Sequence, residues 1–199
     1  MDSIINLWLP ILLSGVVVFF ASFVTWALLP FHNKEYKALP GEEQFVDAIK
    51  RHNVPAGDYM FPFAACNSEK MKDPAFREQL KSMPMGHLRV WHGQPNMGKN
   101  MALTVLVFMV IGVFVAYLTS QTLTPGADKM RVFQIATTAA FMAHAFGGMC
   151  NAIWFGKSLR GFTLDFIDAV VYALITGAIF TWLWPSAAAV VPSMPAIGG

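Results

Sequence analysis

Apolar and polar positions divide the chain into four long hydrophobic runs and one polar interval. The first run goes from Ile4 to Leu29, broken by Asn6, Pro10 and small hydroxyl residues. Met101 to Leu118 is the second, Val132 to Phe155 the third and Phe162 to Trp184 the fourth. About twenty helical residues, each rising ~1.5 Å, cross a bilayer's hydrocarbon core. The pattern therefore predicts an all-α integral membrane protein: four transmembrane helices, with a small α+β polar domain inserted between the first two. The expected segments are 1–30, 100–122, 130–156 and 162–185 for the spans and 31–99 for the polar domain. A charge-free tail over 186–199, rich in Ala, Pro and Gly, is expected to be flexible. Asp2 and no cation precede the first run, and no small-x-small site follows it. It is expected to stay as a helix rather than leave as a signal peptide.

Within the polar interval, Phe45, Ala48, Ile49 and His52 share one helical face between Glu42 and His52. Pro55-Ala56-Gly57 reads as a turn and Asp58 to Phe63 as extended. Asp73-Pro74 is a helix start, with Asp at the N-cap and Pro at the first helical position. His87 to His92 alternates like a short strand. About seventy residues bury a marginal core unaided, so the domain is expected to lean on the membrane helices or on a partner.

Charge fixes an expected orientation. Of 14 Lys and Arg residues in the 199-residue chain, ten lie between His32 and Asn100. Lys34, Lys37, Arg89 and Lys99 flank the polar domain, and Lys157 and Arg160 sit in the turn after the third span, whereas the other side holds only Lys129 and Arg131 beside Asp128. The positive-inside rule places the domain in the cytoplasm and both termini outside. Trp8, Trp26, Trp154, Trp182 and Trp184 fall near span ends, where amphipathic rings favour the interface. A net charge of +2, with 55% hydrophobic and 13% charged residues, gives no reason to expect nucleic acid. Cys66 and Cys150 belong to no CxxC pair and read as ordinary thiols.

Candidate chemistry concentrates on the last two spans. Ala136, Ala140, Gly148 and Ala152 recur at multiples of four with His144 filling the series, and Ala169, Ala173, Gly177 and Thr181 do the same on the fourth span. Small residues at this spacing let helix backbones approach closely in lipid. An antiparallel pairing sets 152 near 165, 148 near 169 and 144 near 173, which brings His144 level with Tyr172 and Thr176. Ionisable groups inside spans are functional candidates, so His144, Asn151, Asp165, Asp168 and Tyr172 form a candidate ligand or proton path. The structural alternative keeps Asp165 and Asp168 in the first turn of the fourth helix, with Thr163 as N-cap, and His144 as an interhelical hydrogen-bonding residue.

Two further patterns are weaker. Gly93 to Asn100 matches GxxxxGK but has Asn100 where a phosphate loop needs Ser or Thr, and a membrane span follows it. Met83, Met85 and His87 offer soft ligands of the kind that select Cu(I), although Met is also a common gap-filler. No cofactor is expected. No nucleophile elbow, HExxH, kinase loop or dinucleotide fingerprint occurs, so no motif argues for an enzyme.

The run from Pro40 to Phe63, with Pro95-Asn-Met-Gly-Lys99 and Asn151-Ala-Ile-Trp-Phe-Gly156, resembles small bacterial inner-membrane proteins of no assigned function. The resemblance implies four helices and carries no site, cofactor or partner. The resulting expectation is a non-enzymatic subunit or accessory protein, with the lipid bilayer and other subunits or copies of itself as partners. The alternative is a small oligomeric transporter or channel using His144, Asn151, Asp165 and Asp168.

Overall fold

The computed structural model describes residues 2–63 and 68–187. Cys66 and all but the first two residues of the expected tail lie outside them. The chain divides into two compact units, one of Met1–Lys37 with Gly98–Gly199 and one of Ala38–Met97.

The first unit is a helical bundle. A short α1 (Asp2–Ile5) leads into α2 (Trp8–Phe23), which continues as a π-helical stretch over Val24–Leu28. A 3₁₀ turn covers His32–Glu35. Three helices are long and apolar enough to cross a membrane: Trp8–Leu28, α6 (Met97–Thr122) and α9 (Leu159–Trp182). The third expected span is not one continuous helix. It divides into α7 (Lys129–Phe146) and α8 (Met149–Trp154), with the break at Gly147-Gly148. Two adjacent residues of poor helix propensity make this the weakest point of the run.

The buried core draws on Leu7, on Val115 and Ala116 of α6, and on the facing sides of α7 and α9. Val132, Ala136 and Ala140 on α7 meet a seam on α9 that includes Ala169, Ala173 and Phe180, all buried. A Cβ at Gly177 would lie 1.9 Å from Thr137 Oγ1, so only glycine lets the helices approach this closely. A second close approach, between α2 and α6, is absent from the sequence-based expectation. A Cβ on Gly15 would lie 3.2 Å from the Met109 nitrogen, and one on Gly112 would lie 3.3 Å from the Ile11 carbonyl. Several hydroxyls bond back to their own helices, as Thr119 does to the Val115 carbonyl and Thr176 to that of Tyr172, whereas the Thr137 hydroxyl is buried against Gly177 without a hydrogen-bond partner among the described residues. That satisfies the bonded ones within an otherwise apolar helix. At one end of the bundle the Gly126 N–H donates to the Pro185 carbonyl at 2.8 Å, and the Trp184 ring N–H to the Thr124 carbonyl at 3.2 Å.

The second unit holds α3 (Glu42–Arg51), α4 (Ser68–Lys72), α5 (Pro74–Leu80) and an antiparallel pair of strands, β1 (Gly57–Phe61) and β2 (Gly86–Val90). Asp73 caps α5 by accepting from the Ala75 N–H at 2.9 Å, and Pro74 holds the first helical position. Asp58 faces Arg89 across the strands. Two guanidinium contacts, at 2.5 and 3.2 Å, hold the Asp58 carboxyl below its ordinary pKa. Phe61 lies over Gly86, where a Cβ would clash with its ring. None of the described residues from 38 to 97 is buried.

Candidate functional site

Six groups from three segments meet at one end of the bundle. The π-helical stretch after α2 supplies Thr25 and Trp26. The 3₁₀ turn supplies His32 and Glu35, and α9 supplies Asp168 and Tyr172 one turn apart. Asp168 Oδ2 lies 3.2 Å from Thr25 Oγ1, His32 Nε2 and the Tyr172 hydroxyl alike. The opposite ring nitrogen of His32 contacts Glu35 Oε1, and the ring stacks on Trp26 with centroids 3.9 Å apart. His32 is 3% exposed and Asp168 7%.

Hydrogen-bond valence constrains this arrangement. An ionised carboxylate only accepts, and a neutral imidazole has one N–H. A histidine with a carboxylate at each nitrogen therefore holds both hydrogens, or one of the carboxyls is protonated. Both contacts are hydrogen bonds at once only when the three groups together carry one proton beyond the neutral ring.

Lys157 closes the outer side, 2.6 Å from Asp165 and 3.5 Å from Glu35. Partial burial works against its ammonium, but the two neighbouring carboxylates outweigh that and hold its pKa above the ordinary lysine value. Gly161 makes the closure possible, since a Cβ there would lie 2.5 Å from Glu35 Oε2. The first turn of α9 thus comes against the Glu35 carboxylate, a placement favoured by the helix dipole.

Beside the network, where α7 breaks into α8, the helices part around a cleft of about 260 Å³. His144, Asp165, Asp168 and Tyr172 line it, together with Gly148 and Ala152. Four of the five expected path residues therefore share one cleft, and Asn151, exposed on α8, does not line it.

Several expectations need correction. Helix α9 starts at Leu159 with Ser158 as N-cap, so Asp165 and Asp168 lie beyond its first turn and Thr163 caps nothing. Its hydroxyl instead bonds the Leu159 carbonyl. The expected hydrogen bond from His144 to Tyr172 or Thr176 is not formed. The Tyr172 hydroxyl is directed to Asp168 and Thr25, that of Thr176 to a backbone carbonyl, and the His144 ring meets the rings of Tyr172 and Phe108 edge-on. Gly148 is no close-packing residue, because a Cβ there would meet nothing within 4 Å. The last residues of the GxxxxGK pattern are already helical in α6. His87 faces Met60 across the strands and lies 3.8 Å from Asp58, and Met83 and Met85 are exposed ahead of β2.

The sequence-based reading missed Thr25, His32, Glu35 and Lys157 as partners. Among the described residues, His32, Glu35 and Asp165 offer ligand atoms within 4.8 Å of one another. The only available signal was a histidine and a glutamate three apart directly after a span, and nothing local ties them to residue 168. No known protein family, no curated protein and no solved structure matches the chain.

Proposed function

We propose that the chain is a non-enzymatic membrane subunit that assembles with copies of itself or within a larger membrane complex. We place it in a bacterial inner membrane, with both termini outside and the polar unit in the cytoplasm. The carrying observation is the polar unit itself. None of its described residues from 38 to 97 is buried, while Trp91 is 65% and Met85 61% exposed. A unit that buries so little of itself needs another surface to complete it.

The bundle supports the same reading. His32, Glu35, Asp168, Lys157 and Asp165 are paired with one another, and past the cleft the helices close through Ala136, Ala140, Ala173 and Gly177. A fourth crossing by α7 and α8 has geometric support. The end of α6 and the end of α9 meet through the Gly126–Pro185 and Trp184–Thr124 bonds. If α6 and α9 both cross, the chain between Lys129 and Trp154 has to return to the opposite side.

Extraction in a mild detergent tests the assembly. The expected particle has a protein mass above that of one 22.0 kDa chain and retains a defined stoichiometry. A bare monomer would overturn the reading. Proton flux in liposomes that is lost in His144→Gln would move the assignment to a transporter using His144, Asp165 and Asp168.

A further inference from the structure

We infer that the cleft beside Asp165 and Asp168 is a binding site for a small organic monocation, an alkylammonium group carried by a free amine or by a lipid headgroup. The inference does not rest on the subunit reading.

Charge is the first argument. Three carboxylates, those of Glu35, Asp165 and Asp168, meet at most two positive charges, the Lys157 ammonium and one proton that the His32 network can hold. Arg160 is exposed, donates to the Phe31 carbonyl and does not line the cleft. At least one negative charge is left over in a half-closed site, where an uncompensated carboxylate is costly. A single positive charge in the cleft removes that cost, and an anion would add to it.

The walls are the second argument. Trp26, Phe108, Phe162, Phe166 and Tyr172 line the same cleft as the two carboxylates, which sit on the same side of α9 three residues apart. Aromatic faces attract organic cations through the ring quadrupole, and they also accept the alkyl groups that inorganic cations lack. The volume corresponds to about eight or nine waters, enough for one small headgroup.

A divalent metal fits less well. The Lys157 ammonium already bridges Glu35 and Asp165, and both ring nitrogens of His32 face carboxylates, whereas a metal-binding nitrogen must be free of its proton. The His32, Glu35 and Asp165 group therefore reads as an internal ion-pair network.

The test uses the full chain purified in an uncharged maltoside detergent, with thermal unfolding as the readout. Tetramethylammonium chloride and ethylammonium chloride are titrated separately, with sodium chloride at matched ionic strength and manganese chloride as controls. A parallel arm adds phosphatidylethanolamine, with phosphatidylglycerol as its control. The expected result is a saturable rise in unfolding temperature with at least one ammonium carrier, and the responding arm identifies the source. Asp165→Asn and Phe162→Leu, each measured against its own unliganded baseline, should weaken the response by about tenfold or more, as loss of a charged or aromatic contact requires. Two variants of unlike chemistry keep the test valid if one of them fails to fold. Three outcomes overturn the inference: no response to any ammonium carrier, an equal response to a control including manganese, or a response unchanged in every variant that folds.

Discussion

Asp168 and Asp165 are three residues apart on one helix, yet their surroundings give them different tasks. A single oxygen of Asp168 meets three donors inside the bundle, whereas Asp165 is 44% exposed and pairs with a lysine at the rim. Removing one member of a buried charged network strands the rest, at about 3–5 kcal/mol. Breaking a rim pair costs within ~1 kcal/mol. Asp168→Ala should therefore lose at least about 3 kcal/mol of unfolding free energy in mixed micelles, and Asp165→Ala close to nothing. Equal losses would mean that the contacts around His32 contribute no more than a surface ion pair. Only part of this was legible beforehand. An aspartate within an apolar run declares itself by its cost. Its partner His32 stands among Asn33, Lys34 and Glu35, where a histidine looks like ordinary interfacial polarity, and the pairing exists only once helices 136 residues apart in sequence are packed.

At the scale of elements, three of the four apolar runs located helices long and apolar enough to cross a bilayer, because length and apolarity are written locally. Their ends were less legible. Helix α9 begins three residues before its apolar run because Ser158 supplies the cap, and the intervening Leu159-Arg160-Gly161 carries a charge that apolarity does not count. The small-residue series on α7 and α9 had two meanings that spacing alone does not separate. Glycine permits close packing, and it also weakens a helix. Gly177 serves the first purpose. Gly148 is part of the helix break and borders the cleft. The two should respond differently to bulk. Gly177→Leu forces the backbone away from Thr137 and should cost about 1–3 kcal/mol or more. Gly148→Leu should melt within a degree or two of Val110→Leu, which faces outward on α6. Matching losses at 148 and 177 would indicate that the helices stay tightly packed along their whole length.

On the scale of the whole molecule, the parity of crossings decides where the ends lie. Three helices qualify as spans by length and apolarity, and the fourth crossing rests on the bonds that tie Gly126 to Pro185 and Trp184 to Thr124. With four crossings, the polar unit and the residues after α9 lie on opposite sides. With three, they share a side. Exposed Ser82 and exposed Ser186 report on those two places. In a chain with Cys66 and Cys150 replaced by alanine, Ser186→Cys should react with an impermeant maleimide on intact cells, and Ser82→Cys should react only after permeabilisation. The cations flanking the polar unit and the 156–161 turn set that direction, because they resist translocation. If both positions label alike, the α7–α8 segment does not cross, and the bonds at the end of α9 need another explanation. If only Ser82→Cys labels, the parity stands and the orientation inverts. The polar unit would then face the outside, and Met83, Met85 and His87 would become the place to look for Cu(I), whose soft ligands they are.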